Sequence, residues 1–116
     1  MLQKERRIPR ADFTHILSSG RRFNSPRLLL YVANITENKA KNNTRVAFSV
    51  SKKVCSKATD RNKYRRQGYS VIESNLNRIN DGFLLFFSFK KSSVPVSYKV
   101  LESEIVGLLS DSGVLI

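Results

Sequence analysis

The chain is short of the residues that usually carry protein-borne chemistry. It has one cysteine, Cys55, and one histidine, His15. A lone cysteine excludes an intramolecular disulfide, and the pair is too few for a Cys/His zinc site. Only nine acids stand against 21 lysines and arginines. No carboxylates form a metal-binding pair, and no two histidines are available for acid–base work. Glu102 and Glu104 lie two apart in a helical pattern, so they point to different sides and read as solubilising charges. Asp60 and Glu73 are isolated among cations, and His15 reads as a surface or packing residue. Ser49-Val50-Ser51-Lys52 fits an S-x-x-K pattern, but it falls at a strand end and lacks the S-D-N and K-T-G partners of acyl-serine enzymes. Cys55 has lysines around it but no partner histidine, so it reads as a small packing residue. A glycine-rich phosphate loop is missing as well.

No apolar run approaches the roughly 20 residues of a membrane span. The N-terminal stretch MLQKERRIPRADF is charged and lacks the apolar core of a signal peptide, which points to a reducing cytoplasm. Binding to a membrane surface is disfavoured, because no long amphipathic helix with an aromatic face backs the basic residues.

What the chain has in excess is positive charge. A net +12 on 116 residues, with pI near 10.4, implies a polyanionic partner, most often nucleic acid. At 41% hydrophobic residues the chain can still build a core, and its length suits one domain spanning residues 1–116.

Periodicity orders the elements. PRADFTHILSSG predicts a short helix, with Phe13, Ile16 and Leu17 on one face and Gly20 as its stop. RRFNSPRLLLYVANI predicts one or two strands, with Leu28, Leu30 and Val32 on one side and Arg27, Leu29, Tyr31 and Ala33 on the other. TENKAKNN reads as a loop. In TRVAFSVS, Val46, Phe48 and Val50 alternate with a small, polar and basic set, Arg45, Ala47, Ser49 and Ser51. A helix follows from Ser56 or Lys57, then the apolar strand GFLLFFSF, then a last helix carrying Val100, Leu101, Ile105, Leu108 and Leu109. Helices on a small mixed sheet make an α+β fold.

The most charged stretch is KATDRNKYRRQGY. Between Lys52 and Arg66 stand seven cations and one acid. At 100° per residue Arg61, Asn62, Arg65, Arg66 and Tyr69 fall on one flank, and Tyr64, Gly68, Val71, Ile72 and Asn75 on the adjoining one. A face built only for solubility would interleave both signs. Arginine forks suit phosphate oxygens, and Asn62 can donate and accept at a 2′-hydroxyl or a base edge. Phe13, Tyr31 and Phe23 are candidate stacking platforms for unpaired bases. Gly68 weakens the helix interior by about 1 kcal/mol relative to alanine.

The stretch SVSKKVCSKATDRNKYRR resembles the signature of the protein subunit of bacterial ribonuclease P: a Ser/Ala-Lys-Lys strand end, a short loop, then Arg-Asn-Arg, an apolar residue and Lys/Arg-Arg on a helix. ADFTHILSSG, RLLLYVAN, RVAFSVSKK and GFLLFFSFKK are similar to the family's first helix and later strands, so the resemblance covers about residues 2 to 110. Two departures stand out. Lys63 replaces the second Arg of the signature, and Gln67-Gly68-Tyr69-Ser70 occupies places usually held by two apolar residues and Arg-Glu.

The resemblance implies a small, ribosomal-protein-like α/β sandwich of order α-β-β-β-α-β-α, with a left-handed β-α-β crossover around the basic helix. It implies a protein that does not cut RNA itself. A catalytic RNA would remove the 5′ leader of precursor tRNA with magnesium, a metal the protein alone does not bind. Lys52, Lys53, Lys57, Arg61, Asn62, Lys63, Arg65 and Arg66 would contact that RNA. Phe13, Leu17, Tyr31, Ser49 and Ser51 would line the leader cleft. No small-molecule substrate is implied. Two rivals fit the charge: a ribosomal protein or RNA chaperone, and a DNA-binding regulator. The latter would need a recognition helix and usually a dimer interface.

Overall fold

The computed structural model describes residues 7–35, 44–91 and 94–115. The loop expected at residues 36–43 lies outside them. Pro9 leads into a 3₁₀ turn, Arg10–Asp12, which runs directly into helix α1, Phe13–Ser19. Strands β1, Arg21–Asn24, and β2, Leu28–Asn34, follow, then β3, Arg45–Ser49. The long helix α2 covers Ala58–Asn75, strand β4 covers Phe83–Phe89, and helix α3 covers Tyr98–Asp111. The four strands form one mixed sheet in the order β1-β2-β4-β3. β4 pairs antiparallel to β2 and parallel to β3, so α2 is the crossover that a parallel pair requires.

Alternation along the strands gives the sheet two different faces. Leu28, Leu30, Val32, Val46, Phe48, Leu85, Phe87 and Phe89 are buried on one face, beneath α2 and α3. On the other face α1 covers only part of the sheet, and Ile8, Ile16, Ala33 and Leu84 form a small second core there. The expected inward sets of β2 and β3 therefore stand. In α1 only Ile16 is fully buried. Phe13 is half-buried and Leu17 is 55% exposed, because so short a helix meets the sheet along one line. In α3, Leu101, Ile105, Leu108 and Leu109 are buried, whereas Val100 faces outward, 39% exposed.

Helix α2 buries Tyr64, Gly68, Val71, Ile72 and Asn75, the flank expected to adjoin the cations. Gly68 has a steric reason to be glycine. A Cβ there would lie 2.6–2.8 Å from three atoms of the Phe48 ring. That ring has no room to retreat. It stacks on Phe87 at 4.7 Å between centroids and makes a T-shaped contact with the ring of Tyr69 at 5.0 Å. The phenol oxygen of Tyr69 also accepts a long hydrogen bond, 3.4 Å, from the Phe48 backbone N–H on the edge strand. Tyr69 thus holds α2 to the sheet.

The end of α3 is set by Gly113 at φ +79, where its N–H bonds Ser110 and the Val114 N–H bonds Leu109. This is a Schellman stop, and the buried Val114 supplies its apolar contact. Glu104 is not the solubilising charge its spacing suggested. Its carboxylate accepts from Ser25 Oγ at 2.6 Å, from the Arg27 backbone N–H at 2.8 Å and from the Arg27 guanidinium at 2.9 Å. It pins the β1–β2 turn, Ser25-Pro26-Arg27, onto α3. A contact 77 residues apart in the chain leaves no local trace in the sequence. Partial burial raises the carboxyl pKa, but the hydrogen bonds from Ser25 and Arg27 outweigh it, and the net value lies below 4.5.

Two consequences are measurable. Gly68→Ala should destabilise the protein by about 1–3 kcal/mol in urea unfolding, as expected for overpacking, although alanine is the better helix former. Unchanged or raised stability would show that Phe48 can yield. Because the folded-state pKa of Glu104 is lowered, its clamp is complete above about pH 4.5 and is lost as pH falls through the folded value. Thermal midpoints of the wild type should therefore fall more steeply below pH 4.5 than those of Glu104→Gln. Parallel curves would contradict the clamp.

Candidate nucleic-acid interface

The basic surface is built from α2 and the loop before it. After β3 the chain turns at Ser51, whose carbonyl accepts the N–H groups of Val54 and Cys55. Lys52, Lys53 and Lys57 stand exposed on this loop, and Lys57 is the residue from which α2 starts. Arg61 does not join the outward stripe as its helical position suggested. Its guanidinium folds back to donate to the carbonyls of Cys55, at 3.0 Å, and Ser56, at 2.8 Å. It braces the loop that carries the lysines. Lys63 lies away from the stripe, with its ammonium 5.5 Å from the Tyr64 ring centre.

Four of the expected residues do come together. Asn62, Arg65, Arg66 and Tyr69, at i, i+3, i+4 and i+7, line a hollow of about 280 Å³ on the helix surface. Arg65 donates to the Asn62 side-chain oxygen, which orients both groups. At Tyr69, one of the departures from the resembled signature, the chain places a ring held against Phe48.

The second surface is the partly open face of the sheet. Strand register sets its rows. Arg22 pairs with Tyr31, Tyr31 with Phe86, and Phe86 with Ala47. The next row is Asn24, Leu29, Ser88 and Ser49. Phe86 is its centre. Tyr31 stacks on it at 5.8 Å and 24°, and Phe13 of α1 meets it edge-on at 5.2 Å. Of the residues expected to line a cleft, Phe13, Tyr31 and Ser49 meet around Phe86 and Ser88. Leu17 lies one turn along α1 and open to solvent, while Ser51 lies past the strand end in the basic loop. Phe23 belongs to the opposite, core-side face, where Arg21 covers its ring at 5.6 Å.

The sequence reading missed Phe86, Ser88 and Arg22. Alternation within GFLLFFSF separates Phe86 and Ser88 from Leu85 and Phe87, but only the register shows which neighbours they meet. His15 reaches the Asn34 carbonyl at 3.3 Å, and Cys55 is a half-buried free thiol packed against the main core. Among the described residues no three His, Cys, Asp or Glu side chains converge. No described helix is long and apolar enough to cross a membrane.

Fold and surfaces together define a small basic α+β protein with exposed cations on one helix and its preceding loop, and a half-exposed aromatic cluster on its sheet. The family model for ribonuclease P matches residues 1–112. The ribonuclease P protein component of Clostridium botulinum strain 657 is 34% identical over 113 residues, covering 96% of this chain and 97% of that one. The component from Pseudanabaena sp. is 27% identical over 119 residues, covering 99% and 97%. Among solved structures, the ribonuclease P protein of Staphylococcus aureus superposes with a TM-score of 0.83 at 22% identity, covering 96% and 98%. That of Thermotoga maritima gives 0.77 at 22%, covering 90% and 96%. The chain belongs to the ribonuclease P protein family, whose members are the protein components of an endoribonuclease complex with an RNA partner.

Proposed function

We propose that this subunit holds the catalytic RNA of ribonuclease P on α2 and its loop, and the single-stranded 5′ leader of precursor tRNA on the open sheet face. Lys52, Lys53, Lys57, Lys63, Arg65 and Arg66 supply charge to phosphates, Asn62 supplies an amide, and Arg61 acts by bracing the loop. The leader lies on Tyr31 and Phe86, walled by Phe13 and Leu17. Arg22 is at one side and the Ser49–Ser88 row runs beside it, with Ser51 near the loop. The observation that carries this reading is the Phe13–Phe86–Tyr31 cluster, a set of aromatic rings left half-exposed on a sheet face beside Arg22. An apolar core would bury such rings, whereas unpaired bases stack on them.

The bond-breaking step belongs, in this reading, to the RNA with its magnesium ions, in the cytoplasm. The shortage of acid–base groups in the chain supports that division. The protein's contribution is to position two RNA segments and to neutralise phosphates near them.

Two binding measurements test the proposal. If about 4 phosphates are neutralised, with a slope near −0.7 each, a fourfold rise in salt should weaken binding of the catalytic RNA by about 50-fold. Arg65→Gln with Arg66→Gln should lower the slope by about 1.4. A salt-independent affinity would sink the phosphate reading. Tyr31→Ala should weaken binding of leader-bearing precursor by about 5- to 150-fold, the worth of one stacked base, and leave mature tRNA unchanged. Equal losses for both RNAs would remove the leader from the sheet.

A further inference from the structure

The hollow on α2 has a composition that phosphate binding alone does not explain. Two arginines and an amide surround an aromatic ring, and much of the wall is carbon. A phosphate site needs donors and no ring. Tyr69 is fixed by its edge-on contact with Phe48, and its oxygen is engaged by the Phe48 N–H. What it offers the hollow is therefore the ring. Asn62 accepts from Arg65 through its oxygen, which leaves its amide N–H groups to donate to a ligand. Guanidinium groups at Arg65 and Arg66 can stack on a base as well as hold the phosphate beside it. Small-ligand sites begin at roughly 300 Å³, so a hollow of about 280 Å³ suits one base with its sugar rather than an extended ligand.

We infer that the Asn62, Arg65, Arg66 and Tyr69 hollow takes a single unpaired nucleobase of the bound RNA, stacked on Tyr69, with its backbone phosphate on the arginines. This rests on the reading of α2 as an RNA-binding helix and sharpens it. The helix then recognises an unstacked nucleotide as well as backbone charge. The Tyr69 position, where this chain departs from the family signature, supplies that recognition.

The test compares two probes, a short single-stranded oligouridylate and the same backbone with abasic sugars, on the full chain and on Tyr69→Leu. Leucine keeps apolar cover over Phe48 and removes the aromatic face. The sheet platform also stacks bases, so the readout is the change in the ratio of the two affinities. That ratio should fall at least about fivefold in Tyr69→Leu, with abasic binding unchanged. An unchanged ratio overturns the base site and leaves phosphate binding standing. Abasic binding that is indifferent to Arg65→Gln with Arg66→Gln overturns the phosphate reading beneath it. Because Tyr69 also packs on the sheet, a second measurement uses the unmodified chain. Thiouridine-bearing oligomer should photo-crosslink to Tyr69 or its α2 neighbours as well as to the sheet. Cross-links confined to Phe13, Tyr31 and Phe86 would overturn the site.

Discussion

The contact between the backbone of Gly68 and the ring of Phe48 sets the height of α2 above the sheet. Phe48 is locked from behind by Phe87 and from the side by Tyr69. The helix can seat against it only where one position lacks a side chain. That seating buries Tyr64, Val71 and Ile72 and turns the stripe at 62, 65, 66 and 69 outward. The cost of a glycine in a helix interior, about 1 kcal/mol, is thereby offset by burial of several large side chains.

The sheet separates two surfaces. Its core-side face is filled by α2 and α3, which leaves the outer side of α2 free to be charged. Among the described residues its other face is covered by the short helix α1 and the segment at Ile8, and aromatic and polar rows stay half-exposed between α1 and β3. Glu104 contributes at a distance. By tying the Ser25–Arg27 turn to α3 it fixes β1, and with it Arg22 at the side of the aromatic row. In the proposed function these two surfaces grip two segments of RNA across a sheet that holds them at a constant separation.

Much of this was legible in residue patterns. Alternation in RLLLYVAN and RVAFSV identified the buried sets, and helical spacing in α2 separated Tyr64, Val71 and Ile72 from the cations. The SVSKK and Arg61-Asn62-Lys63 stretch points to the ribonuclease P protein family, to which the chain belongs. What was hidden depended on long-range pairing. Phe86 becomes the platform's centre only through its register with Tyr31 and Ala47. Arg61 shares a helical flank with Arg65 and Arg66 by periodicity, but its guanidinium also donates to two carbonyls of the preceding loop, a contact that periodicity does not show. Glu104 looks like a surface charge until the turn it holds is in view. Gly68 looks like a defect until the Phe48 ring is placed beside it.

The central claim is that the chain positions RNA and leaves cleavage to its RNA partner. The most direct measurement is leader removal from precursor tRNA by a bacterial ribonuclease P RNA at low magnesium, with and without the purified chain. The account predicts no cleavage by the chain alone, little by the RNA alone, and restored leader removal when both are present. Binding of the RNA without restored cleavage, or cleavage of the precursor by the chain with no RNA partner, would contradict it.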